Sequence, residues 1–286
     1  MEKETLKLKR HETFSIREGW IEKGVNIIKS NSECFKKNEG PVNFGLGTNM
    51  CKSLRYWLIS SKLADFKNGD AYLTCFGELI YKYDKYLEDL FSWWIIHLYL
   101  VNNREDAPII NSLFNTNLKQ FEKDLLFSNL KEKLSKKYII SSDASLESDI
   151  SIALKSYCFD YVFDPENNLQ CPLAKLGLLN LSGKIYYKKS PTFYSLDYRV
   201  VYFSLLKCLS ESIKNNKVDY NVEDIYEMEN NPIAVLNISK SSFFVYLEEM
   251  KNNNLIKFIK TAGLNTIRFE KILTIEEIFE SYFGGN

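Results

Sequence analysis

Ser239-Lys240-Ser241-Ser242-Phe243-Phe244-Val245-Tyr246-Leu247-Glu248-Glu249-Met250-Lys251, followed by Asn252-Asn253-Asn254 and Leu255-Ile256-Lys257-Phe258-Ile259-Lys260, carries the clearest architectural signal in the 286-residue chain. Asn237 to Lys240 supplies capping side chains, and Phe243, Leu247 and Met250 recur at helical spacing, which predicts a helix from Ser239 to Asn253. The asparagine run ends it. Two strands, 255–260 and 266–269, are then expected around a turn at Ala262-Gly263. Helix, stop and hairpin is the order of a winged helix, whose helix enters the major groove while its hairpin reaches phosphates. On that reading Lys240, Ser241, Lys260, Asn265 and Arg268 are contacts to DNA. Modules of this kind also dock proteins or dimerise, so that alternative stays open.

The N-terminal third repeats the order. Asn43 to Asn49 is a turn with glycines at 45 and 47, and Thr48 can cap a helix whose apolar positions are Met50, Leu54, Trp57 and Leu58. Asn49, Lys52, Ser53 and Tyr56 are then expected on the opposite face, residue types suited to base edges and phosphates. Asn68-Gly69 marks a tight hairpin that carries Lys67, and a helix is predicted over 77–86. Gly45-x-Gly47 lacks the third glycine of a dinucleotide fingerprint and the Gly-Lys-Ser/Thr of a P-loop.

Lys plus Arg and Asp plus Glu each total 37, and the zero net charge hides segmental polarity. Residues 1–86 hold fifteen bases and eleven acids, 87–170 eight and thirteen, and 181–218 seven and two. Residues 219–238 carry five acids and no base, whereas 239–271 carry six bases and three acids. The first and last basic segments coincide with the two winged-helix patterns, which makes them more than solvated faces.

Leu90 to Val101 is the most apolar run, too short for a membrane span, and charged residues open the chain without an apolar stretch behind them, so a cytoplasmic protein is expected. Six scattered cysteines form no Cys-x-x-Cys pair, and the only histidines, His11 and His97, stand near none of them, against a zinc site. Helices are predicted over 86–102, 109–127 with interruption, 143–160 and 195–216. His97 lies in an apolar stripe and reads as a hydrogen-bonded packing residue. Lys184, Lys188 and Lys189 with Tyr186 and Tyr187 read either as a phosphate-tracking strip or as a short basic hairpin. The expected organisation is mainly α with small β-hairpins: winged-helix modules over 1–86 and 221–286, and a helical middle over 87–220.

Phosphodiester hydrolysis usually takes acidic metal ligands and often a lysine. Asp65-x-Lys67 and Glu249-x-Lys251 fit half of that pattern and read more simply as surface pairs. His11, Glu12 and Arg17 offer a proton-transfer group, a metal ligand and a phosphate clamp, against a plainer reading as a cluster at the start of the first helix. Asp160, Asp164 and Glu166 form an acidic loop that can hold Mg²⁺ through oxygen, or simply turn the chain.

His11-Glu12-Thr13-Phe14-Ser15-Ile16-Arg17, Gly19-Trp20-Ile21-x-Lys23-Gly24, Leu46-Gly47-Thr48-Asn49-Met50 and Ser53-Leu54-Arg55-Tyr56-Trp57-Leu58 resemble a bacterial domain-of-unknown-function family. Trp93-Trp94-x-x-His97, Asp164-Pro165-Glu166 and Cys171-Pro172-Leu173-x-x-Leu176-Gly177 extend the likeness across most of the chain. Members of that family are found beside genes for DNA phosphorothioation and phage defence, and the resemblance reaches the B component of Ssp-type systems. It implies a protein that binds double-stranded DNA and acts with a cysteine desulfurase and an ATP-dependent sulfur-transfer enzyme. Members of the Ssp group are described as nicking DNA; whether this chain does so is left open, and Mg²⁺ or Mn²⁺ is the expected ion if it nicks. A non-enzymatic scaffold, a winged-helix transcriptional regulator and a homodimer are the other expectations.

Overall fold

The computed structural model describes residues 3–36, 39–159, 170–261 and 264–285. Among them the fold is mainly α with small β-hairpins. Contacts divide the chain into two compact units, Met1–Lys189 and Ser190–Asn286.

The first unit opens with β1 (Glu4–Thr5), α1 (Trp20–Ser30), α2 (Gly40–Phe44) and α3 (Thr48–Ser60). Trp20, Ile21, Gly24, Val25 and Ile28 form the buried stripe of α1 at three- and four-residue spacing. Gly24 faces α3, and a Cβ there would stand 2.9 Å from Leu58 Cδ1. The position before α3 is held by Gly47, without a side-chain cap, so Thr48 is the first helical residue and not its cap. The hairpin β2 (Ala64–Lys67) and β3 (Asp70–Leu73) follows, in register from Ala64↔Leu73 to Lys67↔Asp70. Asn68 and Gly69 have φ of 54° and 88°, the pair of left-handed residues that a two-residue hairpin turn requires.

α4 (Cys75–Tyr83) is capped by Thr74, whose hydroxyl accepts from Gly77 N. α5 (Leu90–Asn102) is apolar nearly all round and buried from Phe91 to Leu98, as a core helix must be. It starts later than expected because the Asp84 carboxylate accepts from Glu88 N and Asp89 N, turning the chain, and Asp89 then caps the helix. α6 (Pro108–Phe114), β4 (Gln120–Phe121), α7 (Lys123–Ser135), β5 (Tyr138–Ile139) and α8 (Asp143–Tyr157) follow, and the expected helix 109–127 is thus two helices separated by a turn and a strand. Ser142 caps α8, and His97 Nδ1 lies 2.8 Å from Tyr157 OH in the core. β5 takes β1 in parallel. β6 (Leu179–Ser182) and β7 (Ile185–Lys188) complete an antiparallel sheet of order β4-β7-β6.

The second unit contains α9 (Tyr198–Cys208), α10 (Ser210–Lys214), β8 (Asp219–Asn221), α11 (Val222–Tyr226), α12 (Pro232–Leu236) and α13 (Lys240–Asn252). β9 (Ile256–Thr261), β10 (Leu264–Phe269) and α14 (Ile275–Phe283) end it. Ser239 caps α13 by accepting from Ser242 N, and Phe243, Tyr246, Leu247 and Met250 bury its inner face. The sheet order is β8-β10-β9, with β10 antiparallel to both neighbours. The turn at Ala262-Gly263 lies outside the described residues. Tyr220 and Asn221 both pair with β10, opposite Ile267 and Thr266. A boundary between 220 and 221 would fall within β8. No described helix is long and apolar enough to cross a membrane.

Candidate nucleic-acid interface

On α3 the solvent-facing residues are Thr48, Asn49, Lys52 and Arg55, with Lys62 beyond the helix end. Ser53 and Tyr56, expected on this face, are buried. Ser53 Oγ and Trp57 Nε1 both donate to the Phe14 carbonyl oxygen, at 3.3 and 3.0 Å. Tyr56 OH donates to the Asp106 carbonyl oxygen at 2.8 Å, and burial pushes its ionisation well above the usual tyrosine range. The expected groove-facing role is corrected for these two, which hold other segments of the unit against α3.

Arg55 takes their place in the exposed stripe. It stands three residues beyond Lys52, in helical phase with it. Its guanidinium lies 4.4 Å from the centroid of the Phe66 ring on β2, a cation–π contact made by a residue that is itself exposed. Phe66 meets Phe35 edge-on at 5.3 Å, and Phe35 meets Phe44 at 4.5 Å, so an aromatic cluster supports the ring. Among the described residues no carboxylate pairs with Arg55. Lys52 Nζ is 3.7 Å from Glu12 Oε1 and donates to Asn49 Oδ1 at 3.4 Å. Lys62 Nζ is 3.8 Å from Asp106 Oδ2. Lys67 is exposed at the hairpin end. Helical phase alone, counted from Lys52, would have pointed to Arg55.

His11, Glu12 and Arg17 do not share a partner. His11 is 4% exposed; its Nδ1 accepts from Thr13 N at 3.1 Å, which makes Nε2 the ring nitrogen that carries a hydrogen. That Nε2 is 3.1 Å from Asp149 Oδ1 but not aligned for a hydrogen bond. The Asp149 carboxylate is occupied by Lys9 N, at 3.0 and 3.1 Å. Glu12 faces Lys52, and Arg17 lies over the Phe14 and Trp20 rings at 5.3 and 5.5 Å. Nor do Glu12 and Thr13 begin a helix: both have positive φ, 48° and 65°, and α1 starts at Trp20. Left-handed backbone at a β-branched residue is strained, and the Phe14 carbonyl bonds to Ser53 and Trp57 help to hold it. The cavity beside His11, walled also by Arg10, Tyr56, Asp106 and Asp149, has a volume of about 20 Å³, room for about one water and no substrate.

In the second unit Lys240, Ser241, Lys260 and Arg268 are exposed, as a groove or phosphate contact requires. Each cation already has an acid. Lys240 Nζ is 3.2 Å from Glu223 Oε2 and 4.1 Å from the centroid of Tyr226. Lys260 and Lys251 share Glu248, at 2.6 and 3.3 Å, and Lys257 reaches Glu270 at 3.1 Å. Arg268 is bidentate to Asp219, at 2.6 and 2.5 Å, and its hydrogen bonds hold the Asp219 carboxyl below its ordinary value. Ser241 Oγ is 2.7 Å from Ser239 Oγ. The unit carries ten Lys and Arg against thirteen Asp and Glu. Exposed pairs of this kind contribute little to stability, but they reduce the positive field offered to a phosphate.

Among the described residues no three His, Cys, Asp or Glu side chains converge to hold a metal ion. Asp160, Asp164 and Glu166 lie outside the described residues, as does the Asp164-Pro165-Glu166 segment. Cys34, Cys51, Cys158 and Cys171 are buried thiols, and burial pushes Cys34 up to about 11.

The profile of a family described as a protein of unknown function, DUF4007, matches residues 8–283. The fold is similar to that of a solved structure titled SspB crystal structure, with a TM-score of 0.83 and 21% identity, over 99% of this chain and 89% of that one. A structure titled magnesium ion-bound SspB crystal structure is similar with a TM-score of 0.82, at the same identity and coverage. Among curated proteins no significant match is found.

Proposed function

The chain belongs to the DUF4007 family, and from that premise we propose that it is the DNA-engaging component of a phosphorothioation-type modification and phage-defence system of the Ssp kind. The acid-free Arg55 in the basic stripe of α3, backed by Phe66 of the hairpin that follows, is the observation that carries this reading. α3 and β2–β3 act as one winged helix and α13 with β9–β10 as the other. The second assignment is supported by the sheet order β8-β10-β9 and by the capped helix immediately before β9. Asn49, Lys52, Arg55 and Lys67 contact duplex DNA in the first unit, and Lys240, Ser241, Lys260 and Arg268 in the second. A cysteine desulfurase and an ATP-dependent sulfur-transfer enzyme are the partners, in the cytoplasm. Mobility shifts on duplex DNA over a salt series test this, because phosphate contacts impose a steep salt dependence. A chain that shifts no duplex at low salt sinks the reading.

A second reading, a scaffold that recruits partner enzymes, is favoured by the acid-paired cations of the second unit and its acidic stretch Glu223, Asp224, Glu227 and Glu229. Deletion of DNA binding with retention of partner capture would separate the two. Strand nicking belongs to the first reading as a further step. The magnesium ion in the SspB structure makes Mg²⁺ and Mn²⁺ the ions to test, with Asp160, Asp164 and Glu166 as the carboxylates to replace. Supercoiled plasmid left intact by the wild-type chain with either ion, under conditions where it binds, would leave a binder without nuclease activity.

A further inference from the structure

The His11 side chain is 5% exposed, and its Nε2 has no hydrogen-bond partner among the described residues. The other ring nitrogen is engaged. Nδ1 accepts from Thr13 N at 3.1 Å, and that bond closes a strap, Lys9 to Phe14, in which Glu12 N donates to the Lys9 carbonyl and Phe14 N to the His11 carbonyl. Lys9, Glu12 and Thr13 all have left-handed backbone, with φ of 58°, 48° and 65°. Residues of these types keep that conformation only while their surroundings hold it. The far end of the strap is anchored separately, because the Phe14 carbonyl accepts from Ser53 Oγ and Trp57 Nε1 on α3.

The charged and titratable side chains that share the cavity of the ring are Lys7 and Arg10 from its own segment, Tyr56 of α3, Asp106 between α5 and α6, and Asp149 of α8. Most of them are already matched or lie in solvent. Arg10 and Asp106 pair with each other, Tyr56 OH donates to the Asp106 carbonyl, and Lys7 is exposed. Asp149, with its side chain 8% exposed, meets no lysine or arginine side chain among the described residues. Its oxygens accept from Lys9 N, and one of them stands 3.1 Å from His11 Nε2.

A further proton on the imidazole can go only to Nδ1, the nitrogen that accepts from Thr13. The N–H formed there would face the Thr13 N–H, so that bond is lost. The charge gained would meet a buried carboxylate that no other cation neutralises, and the cavity of about 20 Å³ beside the ring gives it room to turn. We propose that His11 is a proton-operated latch, which holds Thr13 and the left-handed strap until it takes up a proton, then releases them and pairs with Asp149. Since Phe14 stays anchored, the release is confined to residues 9–13. One consequence rests on the DNA-binding reading: Glu12, 3.7 Å from Lys52 of α3, rides on the released segment, so protonation frees Lys52 for phosphate.

The test is nuclear magnetic resonance of the full chain over a pH series. His11 and His97 are the only histidines, so the ring signal lost in His11→Gln is that of His11. Its titration is compared with exchange of the Thr13 amide hydrogen, corrected for the intrinsic dependence of exchange on pH. Protection of that amide is expected to fall about tenfold, as the loss of one hydrogen bond implies, with the same midpoint as the ring. The Val25 amide in α1 keeps its protection. In His11→Gln, with its fold checked by circular dichroism, whatever protection remains at Thr13 no longer depends on pH. Thr13 protection unchanged through the ring titration overturns the latch, as does a ring that takes up no proton before the chain unfolds. Duplex affinity that rises several-fold below the midpoint in the wild type, and not in Glu12→Gln, supports the link to Lys52. A chain that loses Thr13 protection but shifts no duplex at any pH loses the DNA-binding reading and keeps the latch.

Discussion

The Arg55 guanidinium stands 4.4 Å from the centroid of the Phe66 ring, which ties the exposed face of α3 to the hairpin after it. The ring limits the rotamers of the arginine without neutralising its charge. Arg55→Ala is therefore expected to weaken duplex binding about tenfold, or about 1.4 kcal/mol, and to lower the salt slope by about one. Tyr56→Phe, on the buried face of the same helix, should leave the slope unchanged. Fluorescence anisotropy over a salt series measures both, and equal slopes for Arg55→Ala and wild type would remove Arg55 from the interface.

Gly77 sits where a Cβ would fall 2.1 Å from the Leu63 carbonyl oxygen. Backbone cannot yield as a flexible side chain can, so Gly77→Ala is expected to cost about 2 kcal/mol or more. At Gly45, with φ of 61° and nothing within 4 Å of a Cβ, alanine should cost only about 1 kcal/mol through the left-handed backbone. Denaturant midpoints rank the two, and a Gly77→Ala chain as stable as Gly45→Ala would contradict the packing.

Tyr157→Phe removes the hydroxyl that lies 2.8 Å from His97 Nδ1 in the core. A buried imidazole nitrogen losing that partner is expected to cost about 1–3 kcal/mol. Urea unfolding of the purified chain tests this, and an unchanged midpoint would mean that water or a repacked neighbour replaces the bond.

Lys188 makes stability pH-dependent in a defined direction. Its amine is brought down to about 7 from an ordinary 10.5, by burial first and then by Lys119 and Lys133. Between those values the unfolded chain holds a proton that the folded chain has released, so this residue's contribution to stability rises with pH across the window. Lys188→Met should flatten that rise. Unfolding free energies at a series of pH values from neutral to mildly alkaline decide it, and parallel curves would place Lys188 in a more ordinary environment.

Much of the local structure was legible. Ser239 followed by Phe243, Leu247 and Met250 announces α13, and Asn68-Gly69 announces the β2–β3 turn, because capping and left-handed turn geometry depend on neighbours in sequence. The candidate interface was legible only in part. Asn49 and Lys52 were placed on the open side of α3 correctly, while Ser53 and Tyr56 were not, because the segment around Phe14 and the Asp106 loop cover them from 39 and 50 residues away. His11, Glu12 and Arg17, close in sequence, are drawn to Asp149, Lys52 and the Phe14 and Trp20 rings respectively. The breaks in the middle helices depend on particular side-chain bonds, such as those of Asp84, that periodicity does not register.

By itself the sequence determined a chain of helices and short hairpins with basic segments near both ends, because hydrophobic period, capping and charge are properties of short stretches. Tertiary structure alone decided which of those charges stand free. Arg268 meets Asp219 across 49 residues, Lys188 reaches the end of α6 across more than seventy, and Arg55 is left with an aromatic ring and no acid among the described residues. A side chain's burial and the charge that faces it are set by whichever distant segment packs against it, and among the described residues that packing separates cations with no acid beside them, such as Arg55, from those already engaged.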